Sequence, residues 1–278
     1  MGKIMKAFIM PHPPIIVPGI GSGRESIANS TIKACQKIAR EVVDALPSTI
    51  VISTPHAPCF SDFITISDME RLTGDFGNFG HPEITLDFEN NSKLAMDISK
   101  YAEKAGISAG FLSDHEKRQY RISDKLDHGA VVPLFFINHE LVKANHSCKL
   151  VHISTPFMPM AELYNFGICV RKAAQDSDEN VIYIASGDLS HRLTKDAPAG
   201  FHPGARAFDE TLVEYVRTGN IESIKSIGED LLEEAGQCGT RSFVMMYGAL
   251  DGCSTESVIY SYEGPFGVGY LAAEINIL

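Results

Sequence analysis

Polar side chains that can bind a metal or move a proton follow three apolar runs of the sequence. The run KAFIM leads to His12 in PHPP, TIVIST leads to His56 in PHAP, and VIYIAS leads to Asp188 and His191 in GDLSH. Each run has the length and apolar composition of a buried strand. Open α/β sheets bind ligands at the carboxyl edge of their strands, so the sequence predicts one crevice that collects these side chains.

Two histidines at neighbouring strand ends, with a carboxylate nearby, are a suitable ligand set for a divalent first-row metal. Two histidines and one carboxylate favour non-haem Fe(II), whereas three histidines favour Zn(II). Asp188 and His191 are three residues apart, so both point at one spot if the turn after their strand begins a helix. A buried carboxylate beside a histidine also fixes the imidazole tautomer, which suits a metal ligand or a general base.

A fourth histidine stands at the start of the apolar stretch LDHGAVVPLFF. Asp127 directly precedes His128, and one interpretation is that Asp127 caps the helix that follows while His128 faces the crevice. The alternative is that Asp127, His128 and Gly129 form a plain turn with no functional side chain. The spacing leaves both interpretations open.

A thiol and two carboxylates precede the last predicted helix, in the segment EEAGQCGT. Glu233, Glu234 and Cys238 could provide metal ligands there, and a helix amino terminus is expected to lower the pKa of a nearby cysteine. The six cysteines of the chain form no CxxC pair. This spacing argues against a disulfide framework and against a thiolate zinc knuckle.

The order of the apolar patterns predicts a single α/β domain over residues 1–278. A helix is expected over residues 24–46, between the strands that lead to His12 and His56, which makes a βαβ unit with parallel strands. Residues 61–89 are a long insertion after a site-bearing strand, where a lid or pocket wall would lie. Two strands over residues 257–262 and 267–277 close the chain. We therefore predict a mixed, largely parallel sheet with helices on both faces.

The composition argues against several classes of partner. The formal charge of -11 and the lack of a Lys/Arg cluster argue against nucleic acid. No apolar run approaches the roughly 20 residues that span a bilayer, so we expect no membrane segment. The amino terminus lacks the apolar region of a signal peptide, which predicts a cytoplasmic protein. A small neutral or metal-chelating molecule is the partner that fits best.

The segments PHPP, STPHAP, LDHGAVVPL and SGDLSH, which carry His12, His56, His128 and His191, occur in an order that resembles a known family. They are similar to the catalytic B subunit (LigB) of class III extradiol ring-cleavage dioxygenases, and the likeness runs over residues 4–275. The ending SYEGPFGVGY is similar to the LigB-like domain of the AmmeMemoRadiSam group, whose members resemble Memo proteins and can be followed by an AMME-type domain. The resemblance implies a LigB/Memo-like fold.

The resemblance also implies which residues act. In these dioxygenases the residues that match His12 and His56 bind Fe(II) together with a glutamate, so Fe(II) is the expected cofactor and Zn(II) the alternative. The residues that match His128 and His191 act as acid and base around a bound catechol, with Asp188 beside them. The expected substrate is a small aromatic diol, which O2 cleaves next to its two hydroxyls.

The segment GQCGTRSF departs from the dioxygenase pattern. The family glutamate is expected near residues 237–240, where this chain has no carboxylate. The segment instead resembles the Cys-Gly-Arg turn of Memo proteins. The third metal ligand therefore stays open among Glu234, Cys238, Glu263 and His191.

Three functions follow from these observations. The leading hypothesis is a metal-dependent extradiol dioxygenase. The second is a Memo-like metal-binding or regulatory protein of the AmmeMemoRadiSam system without turnover, which the missing glutamate favours. The third is a zinc-dependent hydrolase of a small amide or ester that acts through a metal-bound water. An AMME-type domain or protein and a second copy of the chain are the candidate protein partners.

Overall fold

A six-stranded sheet lies at the centre of the protein. The computed structural model describes residues 2–278. In spatial order the strands are β7 (Lys149–Ser154), β2 (Thr49–Thr54), β8 (Asn180–Ser186), β1 (Lys3–Met10), β10 (Tyr270–Ile277) and β9 (Thr255–Glu263). The strands β7, β2, β8 and β1 are parallel, whereas β10 is antiparallel to both β1 and β9. The predicted mixed, largely parallel sheet is therefore confirmed.

Helices cover both faces of this sheet, as the sequence predicts. Along β8, Val181, Tyr183 and Ala185 pack into one apolar cluster, and Ile182 and Ile184 pack into the other. Successive side chains of a strand point to opposite sides, so a strand buried on both faces reads as a continuous apolar run. None of the helices within residues 2–278 is long and apolar enough to cross a bilayer. The α-helices are α1 (Asn29–Asp44), α2 (Ser92–Lys104), α3 (Asp114–Gln119), α4 (His128–Lys143), α5 (Met160–Asp176), α6 (Ala205–Thr218), α7 (Ile221–Lys225), α8 (Glu229–Ala235) and α9 (Thr240–Ala249).

The insertion between β2 and α2 contains a hairpin. Strand β4 (Arg71–Phe76) pairs antiparallel with β5 (His81–Glu89), and the short 3-10 helix Gly77–Phe79 lies at the turn between them. Alternate side chains are buried, which is typical of a ribbon with one face on the core. Beside it, the two-residue strands β3 (Ile64–Thr65) and β6 (Ala109–Gly110) pair in parallel.

Helix α1 begins later than the sequence predicts. Residues 24–28 form a 3-10 helix, and the α-helix starts at Asn29. The Glu263 carboxylate accepts a hydrogen bond from the Thr31 amide at 2.7 Å. This bond satisfies one of the free amides in the first turn of α1, and it fixes the helix start through a residue 232 positions away. The predicted helix between the first two strands is otherwise confirmed.

Helices α5 and α9 cross at two glycines. A Cβ atom on Gly167 would lie 2.1 Å from the Met245 carbonyl oxygen, and one on Gly248 would lie 2.0 Å from the Tyr164 carbonyl oxygen. A side chain at either position would force the helices apart. Helix α9 also contacts β2 and β8, so this crossing sets how closely the start of α9 approaches the edge of the sheet.

The glycine crossing yields a prediction about stability. Gly248→Ala should lower the free energy of unfolding by about 1–3 kcal/mol, because the added methyl group overpacks a backbone contact. Gly228→Ala is the control, since a Cβ atom there meets nothing within 4 Å and its φ of -68° suits alanine. The control should stay within about 0.5 kcal/mol of wild type. Denaturant unfolding measures both variants, and equal stability of the two would contradict the inferred contact.

Candidate metal centre

The carboxyl ends of three neighbouring strands meet at one edge of the sheet. Strands β1, β8 and β2 are adjacent, and the turns after them carry His12, Asp188 and His56. Helix α4 adds His128 as its first residue. The structure thereby brings three of the four predicted histidines together: the ligand atoms of His12, His56 and His128 all lie within 4.8 Å of one another.

His12 and His56 present their ring nitrogens to each other. Their Nε2 atoms are 3.0 Å apart, and their ring planes are inclined by 81°. The ring centroid of His128 lies 3.9 Å from that of His56 and 5.5 Å from that of His12. The three rings are grouped compactly enough to offer ligand atoms to one ion.

The hydrogen bonds around His12 determine its tautomer. Ser186 donates its hydroxyl proton to the Gly129 carbonyl oxygen, so the same hydroxyl oxygen accepts from His12 Nδ1 at 2.9 Å. With the proton on Nδ1, the Nε2 lone pair of His12 is free on the side of His56 and Cys238. An imidazole held in this way is oriented for metal binding.

Burial keeps these imidazoles neutral. His12 is 2% exposed, and burial together with the charge of His128 lowers its pKa to about 3. Burial and the neighbouring charge of His12 also lower the pKa of His56. Neutral imidazole is the form that binds metals, so at neutral pH no proton has to leave either residue first.

Asp188 connects the end of β1 to the turn before α9. Its carboxylate accepts a hydrogen bond from the His12 amide at 2.9 Å, and its Oδ2 lies 3.8 Å from His12 Nε2. Its backbone oxygen accepts from the amides of Cys238 and Gly239, at 3.2 and 2.9 Å. Burial raises the pKa of Asp188 to about 6, although the charge of nearby His191 opposes this effect.

The prediction that the start of α9 lowers the pKa of Cys238 is wrong. Burial raises this pKa well above the ordinary value, and the charge of Asp188 adds to the increase. The amides at the helix start are directed elsewhere, because Gly239 N donates to the Asp188 oxygen and Thr240 N to the Gln237 side chain. Cys238 Sγ nevertheless lies 3.6 Å from His12 Nε2. The Cys238 thiol is therefore close enough to His12 to be a candidate metal ligand. Its raised pKa does not suit a nucleophilic cysteine, which needs a lowered pKa.

The other candidates for the third ligand have different surroundings. Glu263 accepts hydrogen bonds from Thr31 N and Thr31 Oγ1, at 2.7 and 2.6 Å. The Glu234 side chain is exposed at the end of α8. His191 lies near Asp188, and its buried Nδ1 has no hydrogen-bond partner within residues 2–278.

No helix follows Asp188 directly, so the helical turn that would align Asp188 with His191 is absent from residues 187–204. Long-range hydrogen bonds hold this segment in an irregular path instead. Ser190 N donates to Asp209 Oδ1, and Gly269 N donates to the Ser190 oxygen, both at 2.8 Å. A Cβ atom on Gly269 would lie 2.0 Å from Asp209 Oδ2, so a glycine is required for this approach. The segment GPFGVGY thus holds the irregular segment that carries the candidate residues Asp188 and His191 in place.

Asp127 fixes the start of α4. Its side chain accepts a hydrogen bond from Ala130 N, so the predicted helix cap is confirmed. Thr54, the last residue of β2, donates its hydroxyl to Asp127 Oδ1 at 2.8 Å. Asp127 thereby links the helix that begins at His128 to the strand that leads to His56.

His152 is the site residue that the sequence analysis missed. It lies within β7, where its Nε2 is 2.9 Å from Asp127 Oδ2 and its Nδ1 is 2.8 Å from Ser67 Oγ. The available signal was a histidine inside an apolar strand, because a buried imidazole needs hydrogen-bond partners. No local pattern could identify those partners, since they come from distant parts of the chain.

A cavity of about 780 Å³ opens beside the histidines. His56 and His128 line it together with Phe79 and Pro82, which belong to the β4–β5 hairpin and its turn. The Phe79 ring lies 5.9 Å from the His128 ring between centroids. The predicted pocket wall in the insertion is therefore confirmed, and the volume is in the usual range for a small-molecule site.

Nearly the whole chain matches one protein family. Residues 6–273 match the family described as the catalytic LigB subunit of aromatic ring-opening dioxygenase. The chain belongs to the LigB family. The resemblance noted in the sequence is confirmed at this level, whereas the finer likeness to Memo and AmmeMemoRadiSam proteins stays a prediction.

Relatives of this LigB-family protein include one of unstated function and one enzyme. Protein CA_C1420 of Clostridium acetobutylicum is 39% identical over 263 residues, which make up 95% of this chain and 55% of that protein. The chain thus spans about half the length of this relative. The 3,4-dihydroxyphenylacetate 2,3-dioxygenase of Escherichia coli is 28% identical over 78% of this chain and 77% of the enzyme.

A solved structure shares the fold of this LigB-family protein. It is that of the uncharacterized protein JW3007 from Escherichia coli K12, with a TM-score of 0.61. The match covers 97% of this chain and 99% of the other at 16% sequence identity. At that identity the likeness concerns the fold alone.

The hydrogen bonds of Asp127 predict a pH-dependent stability. Burial alone would raise its pKa, but the hydrogen bonds from His152 and Thr54 hold it below the ordinary 3.8. A carboxyl group whose pKa is depressed by folding stabilises the protein above its ordinary pKa, and the contribution is lost as the pH falls towards the folded-state value. Asp127→Asn should therefore lower the free energy of unfolding by about 1–3 kcal/mol at neutral pH and by less in acid.

Denaturant unfolding at about pH 7 and about pH 3.5 measures this difference. Asp62→Asn is the control, because Asp62 is exposed and forms no ion pair within residues 2–278. A destabilisation by Asp127→Asn that grows towards acid would contradict the assignment.

Proposed function

We propose that this LigB-family protein is a metal-dependent oxidoreductase that opens the ring of a catechol-type substrate with O2, as extradiol dioxygenases do. One observation carries the proposal. Buried His12 and His56 at the cavity wall, both neutral at neutral pH, present their Nε2 atoms 3.0 Å apart beside a cavity large enough for an aromatic ring. His12 uses its Nδ1 on Ser186, which leaves its Nε2 for an ion.

His12, His56 and Cys238 would hold the proposed ion. His12 Nε2 lies 3.0 Å from His56 Nε2 and 3.6 Å from Cys238 Sγ. Imidazole nitrogens and a thiolate are ligands that first-row divalent metals accept. Cys238 is accordingly the proposed third ligand, with Fe(II) as the ion and Zn(II) as the alternative.

The other polar residues have the chemistry to handle protons. In the proposed reaction His191, whose Nδ1 has no partner within residues 2–278, accepts and holds a phenolic proton. His128 lines the cavity and assists proton movement at the reacting oxygens. Asp188 orients the His12 backbone by accepting a hydrogen bond from its amide. A bound Fe(II) ion would supply the redox chemistry with O2 and a binding site for the two hydroxyl oxygens.

The cavity has the lining that an aromatic substrate needs. Ala57, Phe79, Pro82 and Leu126 contribute apolar surface, and the Phe79 and His128 rings form a T-shaped pair with an interplanar angle of 71°. This apolar surface can pack against an aromatic ring, and the polar residues that line the rest of the cavity can bind its substituents. A planar diol could therefore lie against the apolar wall with its hydroxyls towards the histidines.

The comparisons support the same reaction class. The family is described as ring-opening, and a relative at 28% identity is named for a dihydroxyphenyl substrate. The relative at 39% identity is about twice as long as the matched region and has a name without a function. The activity, substrate and partners of the whole protein, including an AMME-type domain or a second copy, therefore stay proposals, as does a cytoplasmic location.

A second candidate is a Memo-like metal-binding or regulatory protein without turnover. The observation in its favour is a thiol, Cys238, beside His12 where the dioxygenases are expected to carry a glutamate. A zinc-dependent hydrolase is the third candidate, because three histidines grouped within 4.8 Å also suit Zn(II) with an open position for water. Metal identity and O2 consumption separate the three.

The metal site gives the first prediction about function. Protein purified anaerobically without chelator, or reconstituted with Fe(II), should contain about one ion per chain, and the His12→Ala/His56→Ala double variant should lose it. Elemental analysis measures the content, and circular dichroism confirms that the variant folds. His139→Ala is the control, because His139 is an exposed histidine outside the three-histidine group. Full metal content in the double variant would refute the site.

His191 gives the second prediction about function. His191→Ala should keep the metal but reduce ring cleavage by about 10²–10⁴-fold, because a proton acceptor is lost while the ligands remain. O2 uptake with a panel of catechols measures turnover, and elemental analysis of the same sample measures the metal. Loss of the ion from this variant would instead make His191 a ligand.

A further inference from the structure

A serine, a histidine and an aspartate are hydrogen-bonded in a row beside the cavity. Ser67 Oγ lies 2.8 Å from His152 Nδ1, and His152 Nε2 lies 2.9 Å from Asp127 Oδ2. Ser67 belongs to the insertion after β2, His152 to β7, and Asp127 is the cap of α4. A hydroxyl next to a base that a third group orients is the arrangement of a nucleophile in covalent catalysis.

The hydrogen bonds of Asp127 determine which nitrogen of His152 carries the proton. Thr54 Oγ1 and Ala130 N donate to Asp127 Oδ1, at 2.8 and 3.3 Å. A carboxylate only accepts, so Asp127 Oδ2 accepts from His152 Nε2. His152 Nδ1 is then without a proton, and Ser67 donates its hydroxyl to it. In this tautomer the imidazole can take the proton of the serine when its oxygen attacks.

A short antiparallel contact holds the serine opposite the histidine. Ile66 pairs with Ile153 in an isolated bridge, and Ser67 N donates to the His152 oxygen at 3.0 Å. Residues directly opposite each other in an antiparallel pair have their side chains on the same side. The bond between hydroxyl and imidazole is therefore fixed by backbone pairing, so the nucleophile and its base are already in position before a substrate binds.

Ser67 and His152 line a small cavity that adjoins the large one. Its volume is about 40 Å³, which is space for a few water-sized groups and so for a short acyl group such as acetyl. His152, Pro58 and Leu126 line both this cavity and the one of about 780 Å³. A compound with its acyl group beside Ser67 can therefore extend its alcohol part into the larger space.

Two backbone amides are free beside the serine. The amides of Asp68 and Met69, the next two residues, donate to no protein group within residues 2–278, and both residues line the small cavity. The amide that follows a nucleophilic serine commonly stabilises the oxyanion of acyl transfer. The charge of the Asp68 carboxylate is offset by Lys117, whose Nζ lies 2.6 Å away. The Asp68 amide is thus a candidate oxyanion donor.

We propose that Ser67 and His152 hydrolyse esters of short acyl groups without a metal, with Asp127 as the residue that positions His152. Ser67 Oγ bonds to the carbonyl carbon while His152 Nδ1 takes the hydroxyl proton. The bond from that carbon to the alcohol oxygen breaks, and the alcohol leaves with the proton. Water then gives a proton to His152 and its hydroxyl to the acyl carbon, and the carboxylic acid leaves as Ser67 regains its proton. An ester and water become an acid and an alcohol, with no oxidant or reductant.

Hydrolysis of p-nitrophenyl acetate by protein treated with EDTA tests this proposal. We expect nitrophenolate release to continue at the same rate after the chelator has removed metal. Peptide mass spectrometry of samples quenched in acid during turnover should find an acetyl group on Ser67, because the proposed reaction passes through an acyl-serine.

Three variants identify the residues that act. His152→Gln should lower the rate about 10²–10⁴-fold, the factor that a positioned base contributes. Ser67→Ala should lower it at least as much and carry no acetyl group at this position, since such residues act as a unit. Ser123→Ala is the matched control, because Ser123 is exposed and its hydroxyl accepts from the Lys125 amide at 3.1 Å, so it should keep the wild-type rate. Thermal midpoints show whether each variant is folded.

Asp127→Asn separates the positioning role from a structural one. The donors Thr54 and Ala130 face Oδ1, so the amide oxygen takes that place and the NH₂ group faces His152 Nε2. The proton of His152 should then move from Nε2 to Nδ1, where it prevents Ser67 from donating. Nitrogen NMR of histidine-labelled protein measures the tautomer, and the rate of ester hydrolysis should fall with it. A purely structural Asp127 would leave the tautomer unchanged.

Several outcomes would overturn the inference. Wild type without acetyl on Ser67, or a folded Ser67→Ala variant with the wild-type rate, would exclude the serine as the nucleophile. Hydrolysis that EDTA abolishes would belong to a metal centre instead. An equal loss of rate in Ser123→Ala would mean that the effect is not specific to the serine beside His152. None of these results bears on ring opening by the metal centre, so this inference and the proposed function stand or fall separately.

Discussion

The contact between Gly187 and Gly239 is the constraint on which the site depends. A Cβ atom on Gly187 would lie 2.1 Å from the Gly239 Cα atom, so the two backbones touch without side chains between them. This approach allows the Asp188 oxygen to accept the Gly239 amide, and it brings Cys238 Sγ to 3.6 Å from His12 Nε2. The crossing of α5 and α9 at Gly167 and Gly248 also sets how closely α9 approaches the edge of the sheet. The arrangement of the site is therefore determined by backbone packing.

Close packing also determines the electrostatics of the site. Buried polar groups are costly unless they have hydrogen-bond partners, and several groups here have them from the backbone or from a hydroxyl. His12 has Ser186, Asp127 has Thr54 and His152, and Asp188 has the His12 amide. The imidazoles stay neutral because burial opposes a positive charge. Neutral imidazoles with fixed orientations can bind a divalent cation without first losing a proton, and the protein then has little to reorganise on binding it.

Local patterns in the sequence were sufficient to predict the strand ends and the helix cap that position this site. Apolar runs followed by Pro-His or Gly-Asp turns predicted the strand ends, and an aspartate before an apolar helix predicted the Asp127 cap, because both patterns act over a few residues. The failures concern long-range contacts. Ser67 and His152 are 85 residues apart, and Cys238 and His12 are 226 apart. The irregular path after Asp188 and the raised pKa of Cys238 follow from such contacts, and residue spacing does not encode them.

The candidate metal ligands and the wall of the neighbouring cavity come from different parts of the chain. The ends of β1, β2 and β8 and the start of α9 supply the candidate metal ligands and Asp188, whereas the insertion after β2 supplies Phe79 and Arg121 to the cavity wall. In the first of these regions, the contact between Gly187 and Gly239 leaves no space for a larger side chain. The hairpin turn and the loop after α3 lie at the surface, where substitutions move no strand. If the proposed function holds, substitutions in the insertion can change which ligand the cavity accepts and leave the candidate metal ligands in place, and one fold can serve several substrates in this way.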